Sequence, residues 1–155
     1  MGIILNKWLK MKKSPDSKEE ALLNLQVAAH FVKAKLEKIC GIFGITGAQY
    51  NVLRILKGVY PEGHPRCEII ARMIEPSPDT TRLIDRLEKQ EFVERDRSVK
   101  DRRMSITKIT AKGLKLLEKM NPVIVKEQSD IIRNLTTAEY RELSRLCEKL
   151  YAHLV

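Results

Sequence analysis

The sequence predicts a mainly α-helical fold with one small β-hairpin, in which a helix-turn-helix is followed by a hairpin wing and flanked by long amphipathic helices. Three observations carry this. Apolar residues step by three and four near both ends of the chain, prolines break a central helical stretch, and the period then changes around a charged segment. At 155 residues with 43% hydrophobic content, the chain is one ordinary domain able to form a packed core. Lys and Arg number 29 against 20 Asp and Glu, a formal net charge of +9, and aromatics are only 5%. That balance favours a partner held through phosphates over single strands held by base stacking.

Residues Met1 to Lys13 (MGIILNKWLKMKK) form a basic amphipathic tail, suited to packing on a partner subunit or to disorder rather than to anchoring in a membrane. No run reaches the roughly 18 apolar residues of a spanning helix, so a cytoplasmic protein without a membrane partner is expected. The first long helix starts at Ser17, where Ser17 and Glu20 fit a capping box, and its seam is Leu22, Leu25, Ala29, Val32, Leu36, Ile39 and Phe43. Gly41 and Gly44 supply its stop. Thr46 and Gln49 form a second capping box opening a short buried helix, with Tyr50, Leu53 and Leu56 in one row and Val52, Ile55 and Val59 in another.

Pro61 to Pro65 end that helix, and Cys67 to Ile74 give about two turns of the next. Glu75-Pro76 stops it, and Ser77-Pro78 fit the N-cap and first residue of a further helix that buries Leu83, Ile84 and Leu87. Two short helices joined by a proline-marked turn are a helix-turn-helix pattern. Phe92 to Arg95 and Met104 to Ile109 read as strands of a hairpin with the basic tip Asp96 to Arg103. A helix then carries Leu114, Leu117, Met120, Ile124, Ile131 and Leu135, with Pro122 expected to kink it. Thr136 and Glu139 cap the last helix, whose seam is Tyr140, Leu143, Cys147, Leu150 and Leu154. Amphipathic helices at opposite ends, outside a compact centre, suit a two-fold dimer.

The helix after Pro78 offers Thr80 and Thr81 for base edges or phosphates, and Arg82 and Arg86, four apart, for phosphates or guanine. The segments ITGAQYNVLRIL, EIIARMI and TTRLIDRLEKQEFVERDRSVKDRRMSITKITAKG resemble, in order and spacing, the MarR (multiple antibiotic resistance regulator) family of winged-helix transcription factors. The match runs closely from Ile45 to Gly113; its most specific part is FVER, then DRR, then ITKITAKG.

The resemblance implies a winged helix-turn-helix DNA-binding domain at 45–110 and a helical dimerisation region at 14–44 and 111–155, with residues 1–13 as the tail. It also implies a homodimer on a pseudo-palindromic duplex, usually a repressor, released by a small-molecule effector lodged between the dimerisation region and the winged domain. Ser77 to Arg86 would form the recognition helix, bringing Ser77 and Asp79 to the interface beside Thr80, Thr81, Arg82 and Arg86. Asp101, Arg102 and Arg103 would be the wing motif, with Arg103 in the minor groove, its guanidinium held by Asp101, and Arg102 on the backbone; Arg97 and Lys100 would neighbour phosphates.

Glu91 stands where relatives usually carry a helix-ending glycine, so either a non-glycine residue takes that conformation or the turn differs. The stretch ALLNLQ lacks the early cysteine of peroxide-sensing members. Cys40 and Cys147 read as small buried hydrophobes, and Cys67 sits at a helix start, where a thiolate is favoured. His30, Glu37 and Cys40 lack tight ligand spacing, so neither a metal site nor a cofactor is assigned. No phosphate-binding loop, zincin or nucleophile-elbow motif is present, which argues against an enzyme. A metal- or thiol-responsive sensor on this fold and a winged-helix protein-interaction module are the alternatives.

Overall fold

The computed structural model describes residues 2–76, 79–97 and 105–154, with Arg97 described by its backbone alone. The chain runs α1 (Ile3–Leu9), α2 (Ser17–Ile42), α3 (Gly47–Lys57), β1 (His64–Pro65), α4 (Arg66–Arg72), α5 (Thr80–Lys89), β2 (Val93–Arg97), β3 (Ser105–Ile109), α6 (Ala111–Ile132) and α7 (Thr137–Tyr151). Every helix expected from apolar spacing is present, and α1 is an addition. The tail folds as α1, buries Leu5 and sets the Trp8 ring 4.8 Å from the Phe31 ring of α2.

Local chemistry explains the boundaries. Asp16, not Ser17, caps α2: its carboxylate accepts from the amides of Lys18 and Glu19, and Ser17 is already the first helical residue. Gly44 ends α2 in the left-handed region at φ 73°; its amide reaches the Gly41 carbonyl and the Ile45 amide reaches the Cys40 carbonyl. The Thr46–Gln49 and Thr136–Glu139 capping boxes form as expected on α3 and α7. The helix after the proline turn starts at Thr80 with Asp79 as N-cap, later than Ser77-Pro78 suggested; Ser77 and Pro78 lie outside the described residues. Pro122 sits inside one uninterrupted α6, where it cannot donate to the Glu118 carbonyl.

The hairpin pairs β2 with β3 antiparallel, Val93 opposite Ile109 and Arg97 opposite Ser105. A third strand that the sequence did not suggest completes the sheet in the order β1-β3-β2, with His64 opposite Thr107 and Pro65 opposite Ile106. Gly63 makes this approach possible: at φ 82° a Cβ there would lie 2.3 Å from the Thr107 carbonyl oxygen. Proline is tolerated because β1 is an edge strand.

One core joins these elements. Ile39, Cys40, Val52, Leu53, Leu56, Ile69, Ile84, Leu87, Val93, Leu117 and Met120 are buried together, so the C-terminal end of α2 and the N-terminal half of α6 close over the sheet and α3 to α5. The rest of both long helices is different. Leu22 and Val32 of α2 and Ile131 and Ile132 of α6 are exposed, and α7 buries nothing within the chain. No single helix among the described residues is long and apolar enough to cross a membrane.

Candidate nucleic-acid interface

Helix α5 separates into two faces. Ile84 and Leu87 enter the core, while Asp79, Thr81, Arg82 and Arg86 are exposed. Thr80 departs from expectation. It is fully buried, its hydroxyl 3.8 Å from the Met73 sulfur, and it offers a duplex no surface. The helix starting at Thr80 turns that first position inward, which makes Thr80 a packing residue and moves the outward role to Thr81.

The exposed face is held from several sides. Arg66, at the start of α4, donates to the Thr81 hydroxyl at 2.6 Å. Arg82 lies 3.7 Å from Asp79, so part of its charge is locally balanced; Arg86 has no carboxylate partner among the described residues. A shallow hollow lined by Thr46, Gln49, Asp79, Arg82, Leu83 and Arg86 separates this face from the start of α3. Gln49 fixes its floor: its carbonyl accepts from the Thr46 amide at 2.9 Å and its NH2 meets the Gln90 carbonyl at 3.4 Å, while Gln90 donates to the Gly44 carbonyl at 3.2 Å. The corner after α2, the start of α3 and the end of α5 are thus joined by side-chain amides.

The hairpin is tied to α5 by one residue. Period two along β2 puts Arg95 on the same side of the sheet as buried Val93, so its guanidinium pairs with Asp85 and, at 3.0 Å, with Glu88. Lys108 pairs across the strands with Asp96 at 3.1 Å. Among the described side chains of this segment, Arg95 and Lys108 are therefore spent internally. Lys100, Asp101, Arg102 and Arg103 lie outside the described residues, as does the Arg97 side chain.

Glu91 resolves the question left by the missing glycine. It adopts the left-handed conformation itself, φ 61°, so that its amide reaches Glu88 and the Phe92 amide reaches the Leu87 carbonyl. Its side chain meets Lys112 at 2.7 Å, and the Thr110 hydroxyl donates to its carbonyl at 2.7 Å. Hydrogen bonding to Lys112, then its charge, holds the Glu91 carboxyl below the ordinary value of 4.5. Behind this turn, Phe92 and Leu116 floor an open groove of about 360 Å³ edged by Lys112, Lys115 and Lys119.

The cysteines divide by exposure. Burial, then the nearby Glu37 charge, pushes the Cys40 thiol up to about 11, which keeps it neutral and unreactive. Cys67 is exposed, and Cys147 is half-buried rather than fully buried as expected. Among the described residues no three metal-ligating side chains converge, and Glu37 instead accepts the Gly47 amide at 2.9 Å. Sequence reasoning missed Arg66 and the inward turn of Arg95. Fifteen residues separate Arg66 from Thr81, beyond any local pattern, whereas the alternation from Val93 would have placed Arg95.

The profile of the MarR family matches residues 45–105. The HTH-type transcriptional regulator BilQ of Clostridium symbiosum is 31% identical over 121 residues, 77% of this chain and 79% of that protein. The crystal structure of a MarR transcription factor from Planctomyces limnophilus superposes with a TM-score of 0.69 at 35% identity, covering 88% of this chain and 98% of that one. The S. aureus MepR–DNA complex superposes with a TM-score of 0.76 at 19% identity, covering 91% and 99%. With a helix-turn-helix, a hairpin packed on its second helix and these relatives, the chain belongs to the MarR family of winged-helix transcriptional regulators and is not an enzyme.

Proposed function

We propose that this regulator binds a pseudo-palindromic double-stranded DNA as a homodimer in the cytoplasm and represses transcription until a small-molecule effector releases it. The observation that carries the reading is the outward face of α5, where Thr81, Arg82 and Arg86 stand together while Arg95 holds the hairpin against the same helix. A helix of this width fits the major groove, and a hairpin beside it reaches the neighbouring minor groove. That the MepR structure is a DNA complex on the same fold agrees with this use.

In this reading residues 45–110 are the DNA-binding domain and 14–44 with 111–155 the dimerisation region. The exposed apolar residues of α2 and α7, Leu25, Val32, Leu143, Leu146 and Leu150 among them, supply the partner-facing surface. An effector would sit where α6 leaves the winged domain; the groove of Phe92, Leu116 and three lysines there fits an organic anion. Such a ligand would shift the two recognition helices from the spacing of about 34 Å set by one helical turn of DNA.

Duplex binding measured over a salt series tests the core of the proposal. Phosphate contacts require a steep linear fall of log affinity with log salt, and a flat response overturns it. Arg103→Ala tests the wing: binding should weaken while the dimer stays folded, and unchanged affinity overturns the assignment of Asp101 and Arg103.

A further inference from the structure

Arg66 lies on a different helix from the face that Thr81, Arg82 and Arg86 present, yet it is joined to that face by its 2.6 Å bond to Thr81. Arg72 pairs with Glu68 and Arg95 with Asp85 and Glu88, while Arg82 lies 3.7 Å from Asp79. Arg66 is exposed and has no carboxylate partner among the described residues. A guanidinium carries five N–H donors in a planar fork, so one bond to Thr81 leaves others for a new acceptor. A hydroxyl that accepts from a cation is polarised toward donating its own proton. In a helix-turn-helix the first helix crosses the DNA backbone while the second lies in the groove, which puts a residue at the start of α4 beside phosphates.

We propose that Arg66 and Thr81 act as one unit of the duplex interface: Arg66 donates to a phosphate oxygen and holds the Thr81 hydroxyl as a donor to a second acceptor on the duplex. This rests on the duplex-binding reading above and adds to it a contact residue outside the recognition helix. The second acceptor is a purine N7 or a phosphate oxygen, which share the same hydrogen-bond chemistry.

The probe is a duplex selected from a random-sequence pool by the wild-type protein, with binding followed by fluorescence anisotropy over a salt series. Arg66→Ala should weaken binding on the order of tenfold per half-site and reduce the salt slope by about 1.8, the share of two phosphates, one from each protomer of the proposed dimer. Thr81→Val should weaken binding, and the double variant should lose less than the product of the two single losses. Arg66→Gln keeps a donor for Thr81 without the charge, so it should show the slope change and retain discrimination between selected and random duplexes; it carries the test if Arg66→Ala does not fold. Single 7-deazapurine and methylphosphonate substitutions distinguish the acceptors, since the one Thr81 contacts abolishes the effect of Thr81→Val. An unchanged slope in both Arg66 variants, or losses that multiply independently, overturns the proposal while leaving duplex binding intact. A flat salt response of the wild type overturns both.

Discussion

Glu91 carries the backbone strain that a glycine would avoid. A side chain at φ 61° crowds its own carbonyl, and Lys112 offsets part of the cost by holding the carboxylate. Glu91→Gly should therefore raise the melting temperature by about 2 °C for a chain of this size. The pH dependence has a definite sign. The folded carboxyl titrates below 4.5, so its contribution is complete above that value and is lost as pH falls through the lower folded one. The advantage of the glycine variant should accordingly widen in acid, as the wild type loses its Lys112 contact; melting curves of both proteins against pH check this, and a variant that melts lower throughout refutes it. The sequence exposed this site well: the absent glycine marked the turn, and only the choice between strain and rearrangement needed coordinates. Thr80 was less legible, because two consecutive threonines at a helix start differ only in which one the packed core claims.

At the scale of elements, Arg95 is the joint between the hairpin and α5. Its two acidic partners lie three apart on α5, and both pairs are partly exposed, so Arg95→Ala should cost about 1 kcal/mol or less of stability. Duplex affinity should fall further, about fivefold beyond any loss of folded protein, because an unfastened wing must be ordered on binding. Urea unfolding alongside duplex titration separates the two, and an unchanged affinity would show the hairpin to be positioned without this residue. Helices were legible because their caps and three-four spacing are local; even the misplaced first cap, Asp16 for Ser17, moved a boundary by one residue. The strand His64–Pro65 was not, since two residues containing a proline have no strand signal of their own and are defined by pairing with β3, some forty positions away.

The whole molecule has a closed core and an open flank. Leu143, Leu146 and Leu150 of α7 are each about half exposed, a continuous apolar strip on a helix that contributes no buried residue to its own chain. If the proposed dimer forms through this strip, Leu143→Asp should shift the protein to monomer in sedimentation analysis and reduce duplex affinity roughly a hundredfold or more, since each half-site is then bound alone. A variant that remains dimeric would move the interface elsewhere, toward the exposed Ile3 and Ile4 of α1. The seams themselves were visible in the sequence, whereas how little of them the single chain covers was not, because periodicity reports a face and not its occupant.

Arg95 also limits how such a molecule can be controlled. The strand β2 is fastened to α5 through Arg95, and α5 is fastened through Gln90 to the corner after α2. In the proposed mechanism, a signal that turns α5 carries the strand β2 with it through this ion pair. In the proposed dimer, regulation then reduces to opening or closing a pair of calipers, and a ligand acts by changing the gap between the jaws rather than the shape of either.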